Sequence, residues 1–361
     1  GPASVKPGPA CGRRDSLPRM PEPLADQFRG HFGHRQHLYG VLLDHLADDL
    51  EAGGPTAEVC RDQLDAVRAD AIQLRLLAAV FRIVLRGEAP QLTPFYACLG
   101  GTAPAEQCWP VLRAVLPDHV AELRAGLTRP PQTNEVGRSA VLVAGLFEAV
   151  RRTGLNRVRL LELGASAGLN LHPDRYRVSG PGWTWGEPDS PLALDTEAAD
   201  IRPLDLTIVR RGGCDLDPVD VTTQEGRIYL TSFVWPWQLE RHARLAAALA
   251  VAQAHPVRVD RAPASEWVAG QLNRPPTPGV LTIVWESITR QYWPAHESAD
   301  VDAHLAEARR RMPLAHLSME GVPPRQGTDG YDIRRDGPVL RLDGEPLARS
   351  HHHGPPVLLE T

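Results

Sequence analysis

Apolar residues recur at spacings of three and four along Tyr39 to Leu50, Val59 to Leu85 and Cys108 to Leu127. That spacing places them on one side of a helix, so it predicts amphipathic helices sharing a buried face. Gly53-Gly54-Pro55, Pro90, Gly100-Gly101 and Pro130-Pro131 interrupt the pattern. Residues 24 to 150 therefore read as a helical region of four to six helices and one further helix, Val136 to Arg151, which Gly154 ends. The period then changes. Val158 to Leu163, Ile208 to Arg211, Val257 to Asp260, Leu281 to Trp285 and Ala315 to Met319 are short apolar runs, while Trp237 to Ala254 and Val301 to Arg311 return to helical spacing. Strands alternating with helices predict crossover connections and a mostly parallel sheet. Short alternating runs with Gly and Pro over Tyr331 to Glu360 predict a terminal antiparallel hairpin.

Residues 172 to 206 do not fit this alternation, because Pro173, Pro181, Pro188, Pro191 and Pro203 break every periodic run. They predict an inserted loop or small hairpin over the C-terminal edge of the sheet, a lid or substrate wall. The organisation that follows is a leader over 1–20, a helical cap over 21–135, and a Rossmann-like α/β unit over 136–361 with its insertion at 172–206.

Composition narrows the partners. With 361 residues, 42% of them hydrophobic and 23% charged, the chain has the usage of a soluble globular protein with room for a large core. The net charge is −5 and lysine is almost absent, so no basic face advertises nucleic-acid binding. Apolar runs stop well short of the roughly 20 residues that span a bilayer, and no charged segment leads into a signal-like apolar one. The expected location is cytoplasmic and the expected partner a small-molecule substrate, with neither nucleic acid nor membrane and with a homodimer as the assembly allowed for. Five cysteines (Cys11, Cys60, Cys98, Cys108, Cys214) form no C-x-x-C pair, and their odd number speaks against a disulfide framework. The opening Gly-Pro and the Pro/Gly/Arg-rich stretch to Met20 read as a cleavage scar and a disordered leader.

The stretch most suggestive of a ligand is Val158 to Asn170, an apolar run ending in Glu162 and then in small residues. Gly164 and Gly168 lack the Cβ atoms that would hold a cofactor off the backbone, and a helix opening after them would offer unpaired N–H groups. Two chemistries can use such a turn. One is a cradle for S-adenosylmethionine or a nucleotide; the other is a nucleophile elbow, since Gly164 to Gly168 also spells G-x-S-x-G around Ser166. The G-x-G-x-x-G dinucleotide fingerprint is absent, which weakens a nicotinamide or flavin reading. The elbow lacks an upstream oxyanion segment and has Glu162 beneath it, so Ser166 reads as a small cradle residue.

In an open parallel sheet, ligands lie beyond the carboxyl ends of the strands, so acids there carry the most information. Glu162, Asp215, Asp260 and Glu286 close the first four predicted strands. Asp215 is suited to ribose hydroxyls and Asp260 to an adenine amino group. Asn134, Glu135 and Arg138 form a polar island at a helix start and are expected to contact cofactor or substrate at the mouth of the cleft, the alternative being a helix cap by Thr133 or Asn134 together with an interdomain salt bridge. Tyr176 and Trp235 could form an aromatic wall for a flat ligand. His31, His34 and His37 recur every three residues, whereas helical metal pairs prefer four, so no metal is expected. His351 to His353 read as surface residues of the terminal hairpin.

The joint occurrence of TNEVGR at 133 to 138, LELGASAGLNL at 161 to 171, DRY at 174 to 176, the segment Arg210 to Thr222 and VWP at 234 to 236 resembles domain-of-unknown-function family 2332, over residues 24 to 355. The resemblance implies a class I methyltransferase-like Rossmann fold in a bacterial protein. It places the family's cradle on Glu162, Gly164, Ser166, Gly168 and Asn170, and its second-strand acid on Asp215. His172-Pro173 and Trp285-Glu286-Ser287 depart from the family's usual residues, which implies a specialised member, for example in secondary metabolism. The expectation is then an S-adenosylmethionine-dependent methyltransferase acting on a small molecule, catalysing by proximity and alignment, with Glu286 and then Asp174 as base where the acceptor carries a proton. The alternatives are an enzyme of the same fold that catalyses condensation, group transfer or cyclisation, and a non-catalytic binding protein.

Overall fold

The first strand, β1 (Arg157–Leu163), is buried at every residue after its first, because helices cover both faces of the sheet it centres. Val158 and Leu160 face α7 (Arg138–Thr153), whereas Leu161 and Leu163 face the opposite side. A strand with two covered faces reads as a continuous apolar run, as this one does.

The computed structural model describes residues 20–33, 35–321 and 330–360. The expected leader lies outside them apart from Met20, as do Cys11 and His34. The cap contains α1 (Leu24–Arg29), α2 (Leu38–Glu51), α3 (Pro55–Cys60), α4 (Ile72–Leu85), α5 (Cys108–Val115) and α6 (Val120–Gly126). Their apolar faces meet in a core of their own. The periodic run Val59 to Leu85 is not one helix: it breaks over residues 61 to 71, where Ala71 takes a left-handed φ of 51° before α4 begins.

After β1 the order is β2 (Arg177–Gly180), β3 (Trp183–Gly186), β4 (Ala193–Asp195), β5 (Thr207–Asp215), α8 (Gln224–Thr231), α9 (Leu239–Ala254), β6 (Val259–Arg261), α10 (Ala264–Leu272), β7 (Val280–Ser287), α11 (Ala295–Arg309) and β8 (Leu314–Glu320). The short α12 (Ile333–Asp336) and strands β9 (Val339–Leu342), β10 (Glu345–His351) and β11 (Gly354–Leu359) follow. The main sheet runs β11-β10-β9-β8-β7-β1-β5-β6. It is parallel from β6 to β8 and antiparallel from β8 to β11. The fold is thus mixed α/β with a large, mostly parallel sheet, compatible with a Rossmann-like arrangement. β1 lies between β5 and β7, so the chain reverses direction across the sheet there and leaves a crevice at the ends of those strands.

Three expectations are corrected. No α-helix follows β1: the chain makes two 3-10 turns, Leu169–Leu171 and Pro173–Arg175, the second opened by a proline that has no N–H to give. The terminal hairpin is a three-stranded meander that extends the main sheet. The insertion contains the expected small hairpin, β2-β3, but β4 extends it to a three-stranded sheet, β3-β2-β4, which sets Trp183 and Trp185 edge-on to Phe147 of α7 at 5.9 and 5.6 Å.

Candidate functional site

Side chains alternate faces along a strand, so Glu162 shares the α7 side with Leu160. Its strand neighbours are Trp285 on β7 and Gly213 on β5. The carboxyl group is buried, and its Oε2 has no hydrogen-bond partner among the described residues. Burial first, and the Asp215 carboxylate second, push it well above the usual carboxylate range; the Trp285 indole and Arg138 pull weakly the other way.

The turn after β1 is held entirely by the protein. Asp215 accepts from the Ser166 amide and from the Asp217 amide, both at 2.9 Å. Asn134 Oδ1 accepts from the amides of Ala167 and Leu169 at 3.2 and 3.0 Å, and the amides of Ala165 and Gly168 go to backbone carbonyls. Asn134 therefore caps this turn, while α7 has no side-chain cap. Asn170 joins the same network, accepting from Ser139 and donating to the Glu135 carbonyl.

The two glycines have a different purpose from the one expected. A Cβ on Gly164 would lie 2.3 Å from Thr289 Oγ1, and one on Gly168 would lie 2.9 Å from the Val257 and Val259 methyls. Both glycines also have left-handed φ, 68° and 78°. They admit neighbouring side chains to the turn. Gly164→Ala is expected to cost about 2 kcal/mol or more, from backbone strain and overpacking together. Gly154→Ala, at a φ of 70° with open space around it, carries the strain alone. Urea midpoints check this, and Thr289→Ala should recover part of the loss at Gly164 but none at Gly154.

The elbow reading meets direct obstacles. Ser166 has a φ of 53°, the kind of strained turn a nucleophile can occupy. However, its Oγ donates to Gln132 at 2.8 Å, and Asn134 holds the next amide, which an oxyanion would need.

Glu135 and Arg138 carry the charge beside the crevice. Glu135 accepts from Arg241 Nε at 2.8 Å and from Arg244 at 3.2 Å, with His353 Nδ1 3.2 Å away. Burial opposes its ionisation, but the His353 hydrogen bond and the charges of Arg241 and Arg244 hold it well below the carboxylate range. His351 to His353 are accordingly not surface residues: His352 is buried and its neighbours are half-buried. Arg138 is buried too, and its Nε donates to the His352 carbonyl at 2.8 Å. Its two Nη atoms have no hydrogen bond and no ion pair among the described residues. Burial lowers its pKa, while Glu135, Glu320 and Tyr292 act on it electrostatically.

The other candidates lie apart or are occupied. Glu286 alternates onto the opposite face from Glu162, fully buried between Arg290 and His316. Asp174 is a bidentate partner of Arg211. Asp260 accepts from Trp267 Nε1 and Arg258 Nε, which hold it below its usual range. Tyr176 is buried and donates to the Leu169 carbonyl. Trp235 packs with Phe32 and Trp237 against the cap's core, so Tyr176 and Trp235 form no common wall. Of the histidines spaced every three residues, His31 contacts Gln73 and His37 caps α2. One surface triad, Glu88, His119 and Glu122, brings ligand atoms together, but Arg86 already pairs with both glutamates.

Sequence reasoning missed Gln132, Arg241, Arg244, Thr289, Glu320 and His353. Only the arginines carried a signal: Arg241 and Arg244 lie three apart and so share one face of a predicted helix. The free cavity beside Glu135, walled by Gln132, Asn134, Phe233, Arg241 and Leu245, measures about 20 Å³. Among the described residues no helix is long and apolar enough to cross a membrane. Cys60, Cys98, Cys108 and Cys214 are free thiols.

A family model described as an uncharacterized protein conserved in bacteria, DUF2332, matches residues 23–358. No curated protein and no solved structure matches the chain.

Proposed function

The chain belongs to the DUF2332 family, and we propose that it binds S-adenosylmethionine in the crevice and methylates a small molecule. The observation that carries this reading is the buried carboxyl of Glu162 at the end of the central strand, whose Oε2 has no hydrogen-bond partner among the described residues. A cationic ligand supplies what that carboxyl lacks, and S-adenosylmethionine brings both an ammonium and a sulfonium.

The fit lies at the acids. Each Asp215 oxygen accepts one amide hydrogen and keeps lone pairs for ribose hydroxyls. The glycines contribute no room, and the turn amides from Ala165 to Leu169 are engaged. Engaged amides count against a nucleotide, whose phosphates need free N–H groups. They leave S-adenosylmethionine untouched, since it has no phosphate. When bound, it supplies a methyl group activated by the sulfonium. Glu162 and Asp215 would hold it, and Asn134 would keep the turn beneath it rigid. Glu286 and Asp174, both ion-paired, are poor bases in this arrangement, so the reading is strongest for an acceptor that needs no deprotonation.

A second reading, an enzyme of the same fold that does not methylate, rests on the same Glu162 Oε2, which another cationic ligand would serve equally well. Calorimetry with S-adenosylmethionine, followed by product mass, separates the two. Binding with a Kd below about 1 mM and a product heavier by one methyl are expected. No heat at that concentration would remove the methyltransferase reading.

A further inference from the structure

Away from the crevice, a groove of about 480 Å³ opens between the second half of α7, residues 200 to 202 and the meander β9 to β11. It lies toward the other end of the sheet. Ser139, at the start of α7, bonds Asn170 beside the crevice, whereas the groove takes residues from Ala144 to Arg152, toward the end of α7 that leads into β1. Its volume falls in the range of small-molecule sites, roughly 300–1,000 Å³.

The floor is apolar, formed by Ala144, Phe147, Ile201 and Leu340, with Leu347 and Leu359 alongside. The first four are only 1 to 8% exposed, so they are reached through a recess and not presented on a face. A recess admits a small molecule and turns away the flat surface of a protein. Water held against such walls is readily displaced by an apolar group. The rim is charged, but its charges are largely paired within the protein. Glu148 accepts from Arg151 and from Arg152 at 2.8 Å, Arg152 also donates to Glu345 at 2.8 Å, and the other arm of Arg151 donates to the Arg202 carbonyl at 2.7 Å. With Asp200, Arg202 and Glu360 included, three cations face four anions. The rim therefore has no surplus positive charge for an anion, and its paired acids leave little for a cation.

We propose that this groove is a second ligand site, which takes an uncharged, largely apolar small molecule. It is separate from the crevice and does not depend on methyl transfer there.

Fluorescence titration of the full chain tests this with N-phenyl-1-naphthylamine, which is neutral, and with 8-anilinonaphthalene-1-sulfonate, the same skeleton bearing a sulfonate. Saturable binding of the neutral probe at one site is expected, about tenfold or more tighter than the sulfonate. Millimolar S-adenosylmethionine should leave it bound. Ala144→Phe, which fills the floor, should weaken the neutral probe about tenfold or more. Should that variant fail to fold, Asp200→Lys locates the site instead, because Asp200 is exposed and its side chain has no partner among the described residues. The added lysine tips the rim toward positive charge, so it should narrow the gap between the probes about threefold and leave the neutral probe unchanged. No saturable binding, equal affinity for both probes, displacement by S-adenosylmethionine, a folded Ala144→Phe that binds as wild type does, or a gap unmoved by Asp200→Lys would each overturn it.

Discussion

Replacing Glu135 with glutamine is expected to lower stability by about 2–4 kcal/mol at neutral pH. The side chain is nearly the same size, so the loss isolates charge. Glu135 is 6% exposed and sits between Arg241, Arg244 and His353. Breaking a buried ion pair typically costs about 3–5 kcal/mol because the surviving charge is left uncompensated. The range here is discounted since Arg244 and His353 retain contact with water. The pH dependence follows from the direction of the shift. Glu135 is held below its unfolded value of 4.5, so its contribution is present above that pH and fades as pH falls through the depressed folded value. His353 lies below its own ordinary range through burial, which makes the two arginines the main counter-charges at neutral pH. Urea unfolding at pH 7 and at pH 4 measures both parts; a gap that does not shrink on acidification would sink the electrostatic account.

This cluster also marks where sequence reading stops. Glu135 belongs to the segment before α7, Arg241 and Arg244 to α9, and His353 to the turn between β10 and β11. The polar island at 133 to 138 is visible in the sequence, because charged residues at a helix start stand out from an apolar pattern. Its partners are more than a hundred residues away, and no local period reports them. The strands are legible for the opposite reason: β1 and β7 are buried on both faces and so leave nearly continuous apolar runs, whereas β8 alternates buried apolar with half-buried polar residues. Residues 172 to 206 were legible as an insertion with a small hairpin, which β2 and β3 form, but not as a three-stranded sheet, since β4 is only three residues long. The glycine turn was seen in the right place with the wrong occupant. A missing Cβ at Gly164 signals close approach, but sequence cannot distinguish a cofactor from Thr289.

Replacing Glu162 with glutamine should have the opposite sign, stabilising the protein while removing its ligand affinity. In the native state burial raises this carboxyl above its unfolded value of 4.5. Between that value and the raised one, the unfolded chain gives up a proton that the folded chain keeps, so wild-type stability falls as pH rises. The slope from a single group is at most about 1.4 kcal/mol per pH unit. Glutamine has no proton to lose, so the variant should escape this decline. Wild type and variant should therefore be closest below pH 4.5 and separate steadily above it, with the variant the more stable near pH 8. Urea midpoints across that range check the expectation, and parallel curves would show that Glu162 is ionised in the folded protein after all. The binding consequence is independent of the stability one. An amide cannot take up the charge of an ammonium, so a variant that is more stable and yet loses its ligand would identify Glu162 as a group kept for binding at the expense of stability.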